Sequence, residues 1–290
     1  MTDWNHYKKA YSGEWSAGNR REALVADILK RLGLNPQMEG LGAGTTEFIS
    51  GRAEEHGKDK ADPDIFVPDE DMYIEVTGTN IGWVRPEKDI RVRPDKFENA
   101  LSDSTAEHWV VHVLDGPALL RCIKLTDETC ELFVGEGTSI NTRHDDNETY
   151  VEIDPTHECI EPVTSLMERV APSRVEEFGD VLKTVLAQWT SVDDITDGNR
   201  HSMGLKLSKE DTWDRHNSIY SKLHLTDHTG DDVVLTIFND DDNEFTDQEW
   251  VEDTWYFFTD VTGGFYQGDA QLTLSGDAGV HELEPEYVPE

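Results

Sequence analysis

Positive charge is scarce in this chain of 290 residues, which has 25 Lys and Arg against 61 Asp and Glu and a formal net charge of -36. A charge imbalance of this size is typical of disordered acidic chains. The chain nevertheless has 8 Trp, 8 Tyr and 10 Phe within periodic apolar segments, which a disordered chain lacks. The sequence therefore predicts folded domains despite its charge, and its length allows two of them.

Lysine is especially rare, with 12 residues in the whole chain. This composition resembles that of proteins from extreme halophiles, where molar salt shortens the Debye length to about 3 Å and makes repulsion between carboxylates tolerable. A second interpretation of the acidity is a protein that mimics DNA and occupies a DNA-binding site with its own carboxylates. The uneven placement of the positive charges favours the first interpretation.

Long apolar runs and cysteine pairs are also lacking. No segment approaches the roughly 20 apolar residues that a membrane helix needs, and Met1–Gly13 has no apolar run typical of a signal peptide. The three cysteines, Cys122, Cys130 and Cys159, fit a reducing compartment. With His157 they could bind zinc, but their spacing matches no usual zinc pattern, so buried free thiols are the simpler interpretation. We expect a cytoplasmic protein that does not enter a membrane.

The pattern of apolar residues divides the chain into elements. Helical spacing covers residues 20–32, where Gly33 ends the run, and returns over residues 162–189. Pro94 begins another short helix through about Leu101. Strands are predicted at residues 46–50, 64–67, 72–77, 108–114, 119–125, 130–134 and 149–153. We expect one domain over residues 1–160, a helical segment and linker over 161–200, and a second domain over 201–290.

Two carboxylates are brought together by a predicted β-hairpin at residues 64–77. If the acidic segment after Val67 forms the turn, Val67 faces Met72 and Asp64 faces Glu75, with Cβ atoms about 5 Å apart. Like charges at that distance call for a cation, and oxygen-only ligands suit Mg²⁺ or Mn²⁺. Glu22 flanks the apolar stripe of the first helix and could reach the same ion. With so many acidic residues in the chain, a solvated acidic hairpin is the alternative.

The order of these elements resembles that of the PD-(D/E)xK nuclease superfamily over about residues 18–115. Pro63-Asp64 matches the PD, and Glu75-Val76 matches the (D/E)x. The resemblance implies a restriction-endonuclease-like α/β core, with a mixed sheet flanked by helices, and a metal-dependent DNA endonuclease. It also implies that Asp64, Glu75 and the Val76 carbonyl bind Mg²⁺ or Mn²⁺, with Glu22 as an accessory ligand. Members of this family commonly act as dimers, so a homodimer is one expectation.

Thr77 stands where this family has its lysine. In some members a lysine from elsewhere fills that space, and Lys96 on the second helix is the candidate here, ahead of Lys88 and Lys60. An exposed, functionless Lys96 is the alternative. Loss of the lysine would leave a non-catalytic DNA-binding or scaffold protein derived from a nuclease.

The scarce positive charges are concentrated around this proposed site. Of the 25 basic residues, 14 lie before Leu32 or between Arg52 and Lys96, as neutralisation of phosphates requires. Lys88, Arg91 and Arg93 are the candidates for phosphate contact within that region.

The C-terminal part, about residues 200–285, resembles OB-fold domains of the replication protein A type. The resemblance depends on the segments TDHTGDDVVLTIFND and GGFYQGDAQLTLSG, the first of which contains a D-x-(S/T)-G turn. It implies an all-β barrel. The resemblance implies binding of single-stranded or branched DNA, with bases stacked on aromatic rings. The candidates are Trp255, Phe257, Phe265 and Tyr266, together with Lys222. Because no Lys or Arg follows Lys222, stacking has to dominate, and a barrel that docks another protein is the alternative.

Overall fold

The computed structural model describes residues 20–40, 62–78, 86–114, 118–134, 140–142, 149–213, 218–238, 244–274, 278–283 and 288. These residues pack into two compact units, which divide between Phe178 and Gly179; residues 114, 118 and 119 group with the second unit. The predicted linker region at residues 161–200 is thus shared between the two units. The predicted strand at residues 46–50 lies outside the described ranges.

The first unit contains four helices and nine strands in its described part. The helices are α1 (residues 20–31), α2 (Pro94–Ser102), α3 (Asp127–Val134) and α4 (Thr164–Val170). The strands are β1 (Gln37–Met38), β2 (Ile65–Val67), β3 (Met72–Gly78), β4 (Ile90–Val92), β5 (Glu107–Leu114), β6 (Leu119–Lys124), β7 (Ile140–Thr142), β8 (Thr149–Ile153) and β9 (Ile160–Pro162). Short 3-10 turns follow β2, at Pro68–Glu70, and α4, at Pro172–Glu177.

A mixed six-stranded sheet forms the framework of this unit, in the order β1-β2-β3-β5-β6-β9. Strands β2 and β3 form the predicted antiparallel hairpin, and β3 is parallel to β5. A separate three-stranded sheet has the order β4-β8-β7. The hairpin buries Ile65, Val67, Met72 and Ile74 completely, because alternate residues of each strand face the core.

Helix α1 forms where the sequence predicts it. Its apolar stripe, which includes Leu24, Ile28 and Leu29, is at most 3% exposed. Gly33 ends the helix with a φ of 89°, a left-handed conformation that favours glycine.

The predicted strand at residues 130–134 is wrong, because this segment belongs to helix α3. The Thr126 hydroxyl accepts a hydrogen bond from the Thr129 amide at 3.2 Å, as an N-cap does, and Asp127 and Glu128 occupy the first turn. Cys130 and Phe133 are buried three residues apart while Leu132 is 51% exposed, which is helical spacing and not alternation.

The second unit consists of helix α5 (Phe178–Trp189), whose first residue belongs to the first unit, and a β-barrel. Its strands are β10 (Arg200–Thr212), β11 (Ile219–Thr226), β12 (Asp232–Phe238), β13 (Trp255–Tyr266), β14 (Asp269–Leu274) and β15 (Gly279–Glu282). The order is β10-β11-β12-β14-β13-β15, and β10 also pairs with β13, which closes the barrel. The pairing of β12 with β14 is parallel and the others are antiparallel. Strands β10 to β14 thus form a closed barrel of five strands with the strand order of the OB fold, as the sequence predicts, and β15 pairs with β13 as a sixth strand.

The D-x-T-G phrase has a structural role in this barrel. Asp227 is 3% exposed, and its Oδ1 accepts hydrogen bonds from the amides of Thr229 at 2.8 Å and Asp231 at 3.0 Å. Its Oδ2 accepts a third, from the Val192 amide at 2.7 Å. Gly230 has a φ of 93°, so the tight turn between β11 and β12 needs a glycine there. One carboxylate thus fixes the turn and the segment that leads into the barrel.

None of the helices in the described ranges is both long and apolar enough to cross a membrane.

Candidate functional site

The β2–β3 hairpin places Asp64 beside Glu75. Its register pairs Val67 with Met72 and Ile65 with Ile74, so the next position opposes the two acidic residues. Asp64 Oδ2 accepts a hydrogen bond from the Val76 amide at 2.7 Å, and the charge of Asp64 raises the pKa of Glu75, as expected for neighbouring carboxyl groups. A Cβ at Gly40 would lie 2.9 Å from Asp64 Oδ1, so this glycine leaves room for the carboxylate.

Helix α2 adds Lys96 to this pair. Its side chain is 6% exposed, and Nζ lies 2.6 Å from Glu75 Oε2. Nζ also donates a hydrogen bond to the Asp62 carbonyl at 2.7 Å. Phe97, which follows Lys96 in α2, is completely buried. This burial holds the start of the helix against the core, with Lys96 directed toward the sheet. Lys96 is therefore a buried residue of the site and not an exposed helix residue.

Helix α1 contributes Glu22, the third carboxylate. Burial and the charges of Asp64 and Glu75 together raise the pKa of Glu22 to about 9, against the lowering effect of Lys96. Burial and the Asp64 charge raise the pKa of Glu75 to about 8, and burial also raises the pKa of Asp64. The four groups thus share one electrostatic environment, and at neutral pH the cluster holds protons that exposed carboxylates would have lost.

The donor atoms suit a hard divalent cation. Glu22 Oε2 is buried, and no group in the described parts of the chain donates a hydrogen bond to it. All candidate ligands are oxygens, and two positive charges would offset the excess negative charge that raises these pKa values. Across those same parts, no group of three or more His, Cys, Asp or Glu side chains is already arranged to hold an ion. Lys96 contacts Glu75 in this conformation, and its charge lowers the pKa of all three carboxyl groups.

The other predicted residues of the first unit have different surroundings. Thr77 donates a hydrogen bond to the Arg91 carbonyl at 3.0 Å, which ties β3 to β4. Arg91 pairs with Glu152 at 2.8 Å, Arg93 pairs with Asp95 at 3.1 Å, and Lys88 is exposed. Of these cations, Arg93 is the one whose charge lowers the pKa of Asp64 and Glu75. The basic residues Lys8, Lys9, Arg52, Lys58, Lys60 and Arg85 lie outside the described ranges.

The three cysteines are free. Cys122 and Cys130 are completely buried, and burial raises the pKa of Cys122 to about 12 and that of Cys130 to about 11. Cys159 is half-buried, with Sγ 3.1 Å from His157 Nδ1. Protonated thiols of this kind are inert packing groups.

The barrel exposes two of its four candidate aromatic residues. Phe265 and Tyr266, at the hairpin between β13 and β14, are 54% and 62% exposed. Phe257 is 1% exposed, so it is not available to stack on a base, and Trp255 is half-buried. Lys222 Nζ lies 6.0 Å from the ring centre of Trp213. Trp213 is 40% exposed and was not among the aromatic residues that the sequence suggested for base stacking.

A cavity of about 610 Å³ opens beside Phe265. Its wall includes His224 and Val234, which point outward from β11 and β12, and Gln271 from β14. His224 Nε2 lies 2.8 Å from Asp211 Oδ2. Leu223 and Leu225 are buried, and His224 lies between them on the opposite face of β11. This alternation of apolar and polar residues is the feature of the sequence that could have indicated the surface.

No family model and no curated protein matches the chain. Among solved structures, it is similar to the OB domain of MM0293 from Methanosarcina mazei, with 22% identity over 35% of this chain and 89% of that one, and a TM-score of 0.29. It is also similar to Schizosaccharomyces pombe Pot1pC bound to single-stranded DNA, with 14% identity over 34% and 90% and a TM-score of 0.28. Because these TM-scores are low, the assignment of the OB fold depends on the strand order. The comparisons give no support to a PD-(D/E)xK nuclease, and that resemblance depends on the residues of the first unit alone.

Proposed function

We propose that the first unit is a metal-dependent deoxyribonuclease and that the barrel binds single-stranded or branched DNA. One observation carries the nuclease proposal: Glu22, Asp64, Glu75 and Lys96 come from three separate elements and converge on one partly buried cluster. Carboxylates brought together against their own repulsion are typical of functional sites. This arrangement favours a catalytic site over a solvated acidic hairpin.

In the proposed site Asp64, Glu75 and the Val76 carbonyl hold Mg²⁺ or Mn²⁺, with Glu22 as an accessory ligand. The ion, when bound, polarises the scissile phosphate and lowers the pKa of a bound water. The Val76 amide fixes the Asp64 carboxylate through its 2.7 Å hydrogen bond, so this ligand needs no reorganisation. Glu22 and Glu75 have to release their protons before they can bind a cation.

Lys96 has the role that the family gives to the lysine missing at position 77. Its ammonium group is held between Glu75 and the Asp62 carbonyl, so its position is defined before substrate binds. A fixed positive charge there stabilises negative charge that develops on the phosphate in the transition state. Thr77 cannot substitute, because its hydroxyl is committed to the Arg91 carbonyl and carries no charge.

The barrel is proposed to bind bases by stacking. Phe265, Tyr266 and Trp213 present exposed rings, and base–aromatic stacking contributes about 1–3 kcal/mol per base. Two lysines of β10 are partly neutralised, since Lys206 pairs with Asp253 at 2.9 Å and Lys209 with Asp211 at 2.5 Å. Stacking also persists at high salt, where phosphate contacts weaken steeply.

A specific observation favours a second candidate, a non-catalytic DNA-binding or scaffold protein. The 2.6 Å ion pair between Lys96 and Glu75 already compensates part of the negative charge, as a degenerate site would. In that case Lys96 replaces the metal and does not assist it.

The two candidates are separated by incubating the full chain in high KCl, with MgCl₂, MnCl₂ or EDTA, on single-stranded, duplex and branched DNA. The proposed nuclease cleaves at least one substrate in a metal-dependent manner, and an Asp64→Asn/Glu75→Gln double variant does not. Glu98→Gln, on the exposed face of α2, is the matched control and retains activity. DNA that stays intact with every metal, while the protein still binds it, identifies the non-catalytic alternative.

A further inference from the structure

The cavity of about 610 Å³ beside Phe265 is lined by both apolar and acidic residues. Its apolar lining includes Val192, Leu225 and Val234. Its acidic lining consists of three exposed residues, Asp193, Asp232 and Asp269. Among the described residues of the lining, none is a lysine or an arginine. A cavity of this volume is large enough for an organic ligand or for several side chains of a partner.

The register of the barrel places two of these carboxylates side by side. Strands β12 and β14 are parallel, with Val234 beside Gln271. Asp232 and Asp269, the first residues of these two strands, each lie two positions earlier. The same register therefore puts them next to each other on the outward face, on strands about 5 Å apart. Like charges at neighbouring positions of a sheet destabilise it.

No described residue supplies a cation to this acidic pair. Neither Asp232 nor Asp269 forms an ion pair within the described ranges, whereas Asp211 of β10 pairs with a lysine. Asp232 Oδ1 accepts a hydrogen bond from the Thr226 hydroxyl at 2.8 Å, which leaves Oδ2 for another donor. His224 lines the same cavity, but its Nε2 lies 2.8 Å from Asp211 Oδ2. A ligand with a positive charge would therefore complement the pair.

The hairpin that carries Phe265 and Asp269 has a tight two-residue turn. Tyr266 is paired with Asp269, and Gln267 and Gly268 between them have φ angles of 56° and 99°. Positive φ at both central positions is typical of a type I′ turn, whose twist matches that of the flanking strands. This wall of the cavity is thus fixed by strand pairing before a ligand binds, which lowers the entropic cost of binding.

We propose that this cavity docks an arginine side chain from a basic segment of a partner protein. A guanidinium group has five N–H donors in a fixed fork, so it can bind the carboxylates of Asp232 and Asp269 together. Its planar face stacks on an aromatic ring, and Phe265 borders the cavity with 54% of its surface exposed. Its aliphatic stem packs on apolar surface, which Val234 provides.

The volume and the charge of the cavity favour a protein segment as the ligand. One arginine side chain fills only part of this volume, so the residues that flank it in a peptide can occupy the apolar part. A nucleic-acid strand would bring phosphates toward three carboxylates, which repel them. Phe265 also belongs to the proposed stacking surface, so a partner and a strand should compete for its ring. That competition rests on the proposed function, whereas the arginine site does not.

The test titrates fluorescein-labelled peptides with the full chain, followed by fluorescence anisotropy. In about 1 M KCl the Debye length of about 3 Å suppresses the general attraction of a basic peptide to an acidic protein. The probe alternates leucine with arginine, and matched peptides replace arginine by citrulline, which keeps the shape without the charge, or by lysine. We expect the arginine peptide to bind about 10-fold more tightly than the citrulline peptide, with the lysine peptide between them.

Asp232→Asn/Asp269→Asn should reduce the preference for arginine to less than about 2-fold, because both charges are lost. An asparagine at position 232 can still accept the hydrogen bond of the Thr226 hydroxyl. Asp247→Asn/Glu252→Gln, which removes two exposed carboxylates outside the lining of the cavity, should preserve the preference. If the first variant fails to fold by circular dichroism, Asp269→Asn alone should reduce the preference by about 3-fold.

Equal affinity for the arginine and citrulline peptides overturns the proposal, as does a preference that both double variants retain. If N-acetyl-arginine amide binds as tightly as the peptide, the assignment to a protein segment is wrong. A labelled single strand is titrated with the same proteins, and the Asp232→Asn/Asp269→Asn variant should bind it at least as tightly as the wild type does. Weaker strand binding by this variant would assign the cavity to nucleic acid and overturn the docking site. Strand binding without a preference for arginine would refute this site and leave the proposed function intact.

Discussion

The first unit draws three carboxylates and one lysine into a partly buried cluster, whereas the barrel leaves the rings of Phe265 and Tyr266 in solvent and pairs two of its lysines with aspartates. In the cluster, burial strengthens every electrostatic interaction, so pH, metal ions and salt should all change the stability and activity of the cluster. On the barrel, apolar contact dominates and charge is screened. One acidic composition therefore supports two kinds of site, which should respond differently to pH and salt.

Removal of the cluster's cation should have the largest effect. We expect Lys96→Met to lower metal-dependent cleavage by about 10²-fold or more, because a preorganised positive charge is lost. The control is Lys30→Met, which removes an exposed lysine from α1. Single-turnover rates at saturating metal are the measurement, with thermal unfolding to verify the fold. A Lys96→Met protein that cleaves as fast as the control would show that Lys96 is not the family's missing lysine.

The cluster should also make metal-free stability fall as pH rises. The pKa values of Glu22 and Glu75 are raised from 4.5 to about 9 and about 8, so between pH 5 and 8 the folded chain keeps protons that the unfolded chain has lost. The stabilisation is complete below pH 4.5 and is lost as pH rises through the folded-state values.

Each proton retained makes the free energy of unfolding fall by about 1.4 kcal/mol per pH unit. Denaturant titrations between pH 5.5 and 8.5 in EDTA should show this slope, and Glu22→Gln should flatten it. Mg²⁺ should offset the loss, because it binds the ionised carboxylates. A slope that Glu22→Gln leaves unchanged would mean that Glu22 is ionised throughout this range.

The barrel should lose affinity for single strands when its exposed rings are removed. Phe265→Ala and Tyr266→Ala should each weaken binding by about 1–3 kcal/mol, with little dependence on KCl concentration. Val251→Ala, at another exposed apolar position, is the control. If the loss disappears at high salt, phosphate contacts and not stacking hold the strand, and the contrast between the two units fails.

The smallest effects concern packing within the second unit. A Cβ at Gly204 would overlap the Ala187 side chain of α5, so Gly204→Ala should destabilise the unit by about 1–3 kcal/mol. Gly179 has no atom within 4 Å of an added Cβ and lies in α5, so Gly179→Ala should stabilise it by about 0.5–1 kcal/mol. Thermal unfolding followed at α5 and barrel probes would measure both; equal effects would mean that α5 does not pack tightly on β10.

Local patterns were enough to predict the pairing of Asp64 with Glu75, because a hairpin register follows from its turn and from period-two alternation. The same reasoning failed at α3, since the short apolar run of residues 130–134 is compatible with strand or helix. Phe257 was a candidate for stacking and is a core residue, because alternation separates two faces of a strand without saying which one is buried. Arg121 and His112 gave no local signal that distinguishes them from other basic residues.

The acidic character of the chain, the hairpin that opposes two carboxylates, and the strands and D-x-T-G turn of the barrel follow from the sequence, because each depends on neighbours in the chain. The burial of Lys96 against Glu75, and the influence of Arg21 and Arg121 on a buried His112, come from the packing of the whole unit. The reason is physical. The charge states of these groups depend on desolvation and on partners from other strands and helices, which no local pattern encodes.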